Sequence, residues 1–311
     1  MSLQWLELFQ ATAQKGSLQA VSDESGLSVS TISHHLRNLE DHLGVALFNH
    51  ARRPMVLTPT GRTFLRGIND ALYAIRKAKA EASAGNIAEA SHLRLGTIED
   101  FEGDIIPSLA VYLSAQMPRC DFQYHTDSSH QIIDMLHNRE LELGITTTPI
   151  ERLRDLLDRP LLRDPFVVVR PAEAEVSLGD TIEGKGKLPL LRFSSHLIIA
   201  RQIDGHLRRL GLSLPRGFEC SNNHTLMAMV ASGAGWAITT ALLYARAKAL
   251  HPQLKMEPFP GKSFARTLAI VATPDCSRSV LSLVDTKTRQ LIREKTAEFG
   301  TGVPGFQLIE G

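Results

Sequence analysis

Long hydrophobic runs are missing from this 311-residue chain. No stretch approaches the ~20 consecutive apolar residues of a bilayer span, which excludes a helical membrane protein. The opening MSLQWLELFQ lacks a basic segment followed by an apolar one, so the expectation is a cytoplasmic protein with no membrane partner. Cysteine is scarce. Cys120, Cys220 and Cys276 are scattered and odd in number, which fits reduced thiols better than a disulfide framework or a zinc site. Catalytic signatures are absent too: there is no Gly-x-Ser-x-Gly elbow, phosphate loop, His-Glu-x-x-His or Cys-x-x-Cys. The expectation is a protein that is not an enzyme, with no catalytic residues, metal or cofactor. Net charge is low at +1, which excludes little, because charge can be segregated along a chain. The composition, 43% hydrophobic and 22% charged, is that of an ordinary globular protein with room for about two or three domains.

Charge is in fact segregated. Between residues 52 and 79 lie seven basic side chains, Arg52, Arg53, Arg62, Arg66, Arg76, Lys77 and Lys79, with Asp70 the one acid among them. Such a strip suits a polyanion-binding segment, but a solvated helix face looks the same.

The preceding residues are more specific. Leu6, Phe9 and Ala13 recur at helical spacing over 3–14, flanked by Trp5 and Leu8, and predict a first helix. Gly16-Ser17 ends it and starts a second, with Ser17 as N-cap and Leu18 and Val21 facing inward. Gly26 turns the chain and Ser28 caps a third helix. There Ile32, Leu36, Leu39 and Leu43 follow a +4, +3, +4 spacing, which makes one buried stripe. Ser30, His34, Arg37 and Asp41 fall opposite it, with Thr31, Ser33 and Asn38 on the flanks. Short hydroxyls near a helix start allow close approach and can bond phosphates or base edges, and first-turn amides favour anions. Two helices joined by a glycine turn, the second with this face, form a helix-turn-helix whose second helix enters the major groove of double-stranded DNA. A small bundle with a polar outer face is the plainer alternative.

These residues carry a resemblance. GSLQAVSDESGLSVSTISHHLRNLEDHLGVALF (16–48) followed by RRPMVLTPTGRTFL (52–65) resembles the DNA-binding region of LysR-type transcriptional regulators. The family's landmarks stand here as Gly16-Ser17-Leu18, Ala20-Val21, Ser28-Val29-Ser30-Thr31-Ile32-Ser33, Leu39-Glu40, Leu43-Gly44-Val45-Ala46-Leu47-Phe48 and Leu57-Thr58-Pro59-Thr60-Gly61. Two departures stand out: His50 where the family has arginine, and His34-His35 where it has a basic residue and glutamine. Neutral histidine is a poorer partner for phosphate or guanine than arginine. The DNA-contacting residues expected on this basis are Ser28, Ser30, Thr31, Ser33, His34 and Arg37 on the recognition helix. Arg52 and Arg53 on the wing are expected to reach phosphates or a narrow minor groove.

Residues 58–85 read as one long helix, capped by Thr58 with Pro59 at its first position. Phe64, Leu65, Ile68, Leu72 and Ile75 form an apolar seam that nothing nearby in sequence covers, which suggests another subunit. The resemblance implies a linker helix that forms a homodimer through Leu65, Ile68, Leu72 and Ile75, with effector domains pairing again into a homotetramer. RNA polymerase is a further partner of such a regulator, and operator half-sites would mirror the symmetry. The alternative is a seam packed on the chain's own downstream domain.

Beyond Gly85-Asn86 strands and helices alternate. Strands are predicted at 93–97, 121–126, 141–146, 166–170, 188–193, 236–240, 254–259 and 267–273, and helices at 105–116, 130–138, 196–210, 225–233, 241–249 and 279–298. This argues for parallel α/β sheets with a ligand beyond the carboxyl ends of the strands. LRLGT (93–97), QMP (116–118), LELGI (141–145) and MVASGAGWAI (229–238) resemble the family's two-lobed, periplasmic-binding-protein-like effector domain. The expected fold is α+β multidomain: a winged helix-turn-helix over 1–58, a linker helix over 59–85 and an effector domain over 91–300. Lobe 1 takes about 91–164 and 267–300, lobe 2 about 165–266. The tail GTGVPGFQLIEG is expected to be loosely ordered.

The resemblance places a small-molecule effector between the lobes, at Thr97, Glu99, Asp100 and Phe101, Ser128 and Ser129, Thr146 and Thr147, Phe193, Ser194, Ser195 and His196, and Thr225. Hydroxyls at helix N-termini commonly hold a carboxylate, so an anionic metabolite is the default. TIEDFEGD (97–104) adds Glu99, Asp100, Glu102 and Asp104 beside the expected cleft. One reading has these acids start the next helix and satisfy its dipole. The other has Glu99 or Asp100, with Phe101, Phe193 or Trp236 nearby, receive a cationic or zwitterionic ligand.

The function expected is a LysR-type, sequence-specific DNA binder controlled by a small molecule. Two alternatives stay open. One is a cytosolic ligand-binding or catalytic α/β protein whose N-terminal helices mediate assembly. The other is a cysteine-based redox-sensing regulator, against which Cys120 and Cys220 lack the basic neighbours that mark a low-pKa thiol.

Overall fold

The computed structural model describes residues 1–49, 54–82, 92–148, 155–175, 177–186, 188–214, 216–260, 264–299 and 306–309. His50, Arg52 and Arg53 lie outside the described residues, as do the predicted helix end at Gly85 and the side chains of Arg76, Lys77 and Lys79. The chain divides into two compact units, Met1–Ser83 and Ala84–Gly311.

In the first unit, serine starts and glycine ends each of three helices: α1 (Leu3–Lys15), α2 (Leu18–Ser25) and α3 (Val29–Leu43). The Ser2, Ser17 and Ser28 side chains accept from the backbone N–H groups of Trp5, Ala20 and Thr31, which would otherwise lack a partner. Gly16, Gly26 and Gly44 close the helices in the left-handed conformation. Ile32, Leu36 and Leu39 of α3 are buried against Leu6 and Phe9 of α1 and Val21 of α2. Each such side chain contributes about 1.5–3 kcal/mol of hydrophobic stabilisation. A short antiparallel ribbon follows, β1 (Phe48–Asn49) against β2 (Val56–Leu57), and then α4 (Pro59–Ala82).

The Leu-Thr-Pro-Thr-Gly run has a clear physical role. Thr58 Oγ1 accepts from Gly61 N at 2.9 Å and donates to the Ala46 carbonyl at 2.9 Å, so one hydroxyl caps α4 and ties it to the turn before β1. A Cβ on Gly61 would stand 2.1 Å from the Leu47 carbonyl oxygen, so the approach is open only to glycine. Glu40 Oε1 accepts from Leu47 N (2.7 Å) and Phe48 N (3.0 Å), tying the end of α3 to the same turn. The seam of α4 differs from the expectation. Ile68 and Leu72 are buried in the core of this same unit, and Gln10 Nε2 donates to Asn69 Oδ1 at 2.8 Å. The covering surface is α1, which lies more than fifty residues upstream. Ile75 stays exposed at 37%.

The second unit follows as β3 (His92–Thr97), a 3-10 turn at Glu99–Phe101, α5 (Ile105–Gln116), β4 (Asp121–Thr126), α6 (Ser129–His137), β5 (Leu143–Thr147) and β6 (Leu157–Pro171). It continues with α7 (Leu178–Ile182), β7 (Leu190–Phe193), α8 (Ile198–Arg209), β8 (Arg216–Cys220), α9 (Asn223–Ala231), β9 (Trp236–Thr240), α10 (Ala241–Arg246), β10 (Leu254–Pro258), β11 (Ala265–Ala272), α11 (Arg278–Phe299) and β12 (Gln307–Leu308). The strand order is β4-β3-β5-β11-β6-β9-β7-β8, with β10 and β12 also paired to β6. β3 runs parallel to β4 and β5, and β7 parallel to β8 and β9, giving two α/β lobes. β6 belongs to both. Its residues from Leu157 to Pro165 pair with β11, and those from Phe166 onward pair with β9 and, from Val167, β10. One core holds Leu95, Leu109, Ile145 and Leu268, the other Val168, Leu191, Trp236 and Ile238. Among the described residues no helix is long and apolar enough to cross a membrane.

Three expectations need correction. The 166–170 strand extends back to Leu157, because its polar first half is still paired along β11. β8, with exposed Phe218, escaped notice because an edge strand carries little periodicity. The tail is not loose where it is described: β12 pairs with Arg163 and Leu162 of β6, Phe306 packs on the core, and Arg289 donates to the Ile309 carbonyl.

Candidate functional site

Two surfaces combine the chemistry singled out in the sequence. The first is the outer face of α3. Ser28, Ser30, His34 and Arg37 are exposed, and Thr31 and Ser33 are partly so. Ser28 Oγ lies 2.8 Å from both Ser30 Oγ and Thr31 Oγ1 and accepts from Thr31 N at 3.1 Å. The three hydroxyls thus form one cluster at the positive end of the helix. Asn38 Nδ2 donates to His34 Nε2 at 3.1 Å, which fixes the imidazole on the surface. The adjacent His35 goes the other way: its ring lies 6.4 Å from that of Trp5, and its Nδ1 is enclosed with no hydrogen-bond partner among the described residues. Of His34 and His35, it is His34 that faces outward.

The second surface is a cleft between the two lobes of the larger unit. A cavity of about 200 Å³ is lined by Ile98, Glu99 and Asp100 of the turn after β3, Thr126, Asp127, Ser128 and Ser129 at the start of α6, and Thr147 of β5. Phe193, Leu197, Ile198 and Ile199, Ser221, Leu243 and Arg266 complete it from the other side and from β11. A second, more open cavity of about 440 Å³ shares Asp127, Ser128, Leu197 and Ser221 with it and adds His130, Gln131 and His196. The inner space is smaller than the roughly 300–1,000 Å³ of drug-sized sites and suits a small metabolite.

An ion triad closes its floor. The Arg266 side chain is 4% exposed; its Nε and Nη2 donate to Asp164 Oδ2 at 3.0 and 2.9 Å, and Nη2 also to Thr240 Oγ1 at 3.1 Å and to Asp100 Oδ1. Asp164 Oδ1 accepts from Leu242 N at 3.0 Å. Burial works against the Arg266 charge, but Asp100 and Asp164 outweigh it and hold the guanidinium more basic than usual. Burial likewise pushes the Asp164 carboxyl up, against the pull of Arg266.

Glu99 reaches across the cleft. Its Oε1 accepts from Asn223 N and its Oε2 from Asn222 Nδ2, both at 3.1 Å, so it caps α9 of the opposite lobe. Arg246 donates to the Glu99 carbonyl. Burial and then the nearby Asp100 charge raise the Glu99 carboxyl, opposed by the Asn223 N–H and by Arg246. The reading of the TIEDFEGD acids as the start of the next helix does not hold. Asp104 precedes α5 without a side-chain cap, while Glu99 caps another helix and Asp100 pairs with Arg266.

Of the residues expected around an effector, Glu99, Asp100, Ser128, Ser129, Thr147 and Phe193 line the inner cavity and His196 the outer one. Thr97, Phe101, Thr146, Ser194, Ser195 and Thr225 line neither. Thr97 and Phe101 are buried, the Thr97 hydroxyl donating to the Ile98 carbonyl and Phe101 filling the first lobe's core. Thr146 is fully buried, on the opposite face of β5 from Thr147. Ser194 and Ser195 donate their N–H groups to the Cys220 carbonyl and Glu219 Oε2, and Thr225 bonds to Asn222 Oδ1. Trp236 is a core residue of the second lobe, which leaves Phe193 as the cavity's aromatic. Arg266, Asp164 and Asp127 were missed. The one available signal was a charged residue beside an apolar strand, as in Asp164-Pro165-Phe166 and Arg266-Thr267-Leu268.

Known proteins show the same architecture. A family model for the LysR substrate binding domain matches residues 88–287, and one for the bacterial regulatory helix-turn-helix protein of the lysR family matches residues 3–62. HTH-type transcriptional regulator YfeR of Shigella flexneri is 24% identical over 245 residues, 78% of this chain and 79% of that protein. The hydrogen peroxide-inducible genes activator of Pectobacterium carotovorum is 24% identical over 285 residues, 88% of this chain and 91% of that one. A full-length OxyR variant from Pseudomonas aeruginosa superposes with a TM-score of 0.74 at 23% identity, covering 100% of this chain and 99% of that one.

Proposed function

The chain belongs to the LysR family of bacterial transcription regulators, with a helix-turn-helix DNA-binding domain and an effector-binding domain; on that premise we propose how its own residues divide the work. Domain limits of 1–58, 59–85 and 91–300 serve as the working division. Ser28, Ser30, Thr31, Ser33, His34 and Arg37 read the operator from the major groove, and Arg52 and Arg53 hold phosphates or the minor groove beside it. The small-molecule effector occupies the interlobe cavity, in contact with Glu99, Asp100, Ser128, Ser129, Thr147 and Phe193. The protein acts in the cytoplasm, without catalysis of its own, as a homodimer or homotetramer that engages RNA polymerase. Since Ile68 and Leu72 are covered within their own unit, pairing along α4 falls to its outward residues, Ile75 among them.

The observation that carries this reading is the outer face of α3, a hydroxyl cluster followed by His34 and Arg37 above a fully apolar inner stripe. Duplex DNA from upstream of the chain's own gene tests it: a salt-dependent mobility shift is expected, and none at 50 mM salt overturns it. Light scattering at micromolar concentration checks assembly, and a monomeric mass contradicts the oligomer.

Cysteine-based sensing is favoured by the peroxide-inducible relative but finds less support in the thiols. Burial, then Asp121 and Glu142, push Cys120 up to about 11, and burial pushes Cys276 far up as well, so thiolate is scarce at both.

A further inference from the structure

We infer that the effector is a zwitterion held head-inward, its ammonium group at Asp100 and Glu99 and its carboxylate at the cleft mouth between His130 and His196. The inference rests on the reading of the interlobe cavity as the effector site.

The inner cavity is built against anions. Its basic lining residue is Arg266, whose guanidinium is committed to Asp100, Asp164 and Thr240. Three carboxylates, Glu99, Asp100 and Asp127, line the same space. Asp100 is the most telling. Its side chain is 4% exposed and Oδ1 takes Arg266, but Oδ2 accepts no hydrogen bond among the described residues. A carboxylate oxygen beside a cavity with no protein donor is available to a donor on the guest. Each Glu99 oxygen accepts a single hydrogen bond, which leaves lone pairs for the same donor. An ammonium group supplies three N–H donors and the opposite charge.

The mouth has the complementary character. His130 on α6 and His196 after β7 approach edge-to-face from opposite lobes, with ring centroids 6.2 Å apart. Both line the outer cavity, which shares four residues with the inner one. His130 Nδ1 is 3.1 Å from Ser128 Oγ, leaving Nε2 for a ligand. The other charged groups nearby are already engaged. Asp127 Oδ1 accepts from Ser128 N at 2.6 Å, Glu219 Oε2 accepts from Ser195 N at 3.4 Å, and Arg201 donates to the His196 carbonyl at 3.2 Å. A carboxylate at this mouth, accepting from ring N–H groups of both histidines, draws the lobes together. The hydroxyls of Ser128, Ser129 and Thr147 and the apolar walls of Phe193, Leu197 and Ile199 accommodate the body of such a molecule.

Calorimetry and thermal shift on the full chain test this with three matched series. These are the proteinogenic α-amino acids with small β- and γ-amino acids, the same compounds without the amine, and the same without the carboxylate. The tightest binder is expected to be a zwitterion that loses about tenfold or more in affinity when either charge is removed. His196→Ala should weaken it several-fold but leave its amine-only analogue unaffected, and Glu99→Gln should weaken it likewise but leave its carboxylate-only analogue unaffected. A carboxylate-only compound that binds as tightly and ignores His196→Ala overturns the zwitterion and leaves the cleft as the effector site. Binding by none of the three series overturns both.

Discussion

The two units place their function in opposite ways. In the first, every residue expected to meet DNA comes from one helix and the ribbon after it, and the helix is aimed by contacts within about forty residues of sequence. In the second, the cleft is assembled from segments as distant as Glu99, Phe193, Asn223 and Arg266, joined by hydrogen bonds spanning more than a hundred residues. A local site tolerates change around it so long as its helix keeps its stripe and cap. A site assembled at long range fails when any one of its ties is cut. Mutations at matched depth in the two units therefore separate local from distributed design.

The largest effect is expected at Arg266. Arg266→Ala leaves Asp100 and Asp164 buried without their shared cation, which should cost about 3–5 kcal/mol. Denaturant unfolding monitored at Trp236 should show the loss, with the α3 surface still able to hold DNA at low temperature. A shift below 1 kcal/mol means that the triad is not what joins the lobes. Gly61→Ala comes next. Its methyl would strike the Leu47 carbonyl, and overpacking of this kind costs about 1–3 kcal/mol or more. Weakened DNA binding with effector-unit stability unchanged is the expected pattern.

Arg37→Ala probes the surface itself. About 1–3 kcal/mol of discrimination should vanish at one base position, with folding untouched. Unchanged footprints at matched salt would show that the helix meets DNA by another face. The smallest effect is a pH dependence. His206 is buried against Phe259 and stacked on Phe264 at 3.7 Å between ring centroids; burial, and then Arg209, lower its pKa. The unfolded chain, with an ordinary histidine pKa of about 6.5, takes up the proton first as pH falls. The stability from neutral His206 is thus present above that value and lost as pH falls toward the lowered one. His206→Gln should flatten the melting-temperature profile between pH 7 and 5.

The same contrast explains what the sequence made legible. The caps, the +4, +3, +4 stripe and the fixed spacings of 16–61 are local, and the structure has each where the pattern places it. The cleft was legible in outline, because strand ends and helix starts mark where ligands sit. Its wiring was not. Nothing near Glu99 in sequence announces that it caps a helix more than a hundred residues away, and nothing near Asp100 names Arg266. The α4 seam was misread for the same reason: its cover is α1, remote in sequence and adjacent in space.

The fifteen-residue β6 has a mechanical consequence. It changes partners at Pro165–Phe166 without a break, holding β11 before that point and β9 and β10 after it. No glycine or loop interrupts it there, and the Pro165 ring restricts its own φ. The lobes therefore do not swing like doors on a pin. To open or close on a guest they must wring a shared ribbon, with elastic resistance spread along the strand instead of released at one residue.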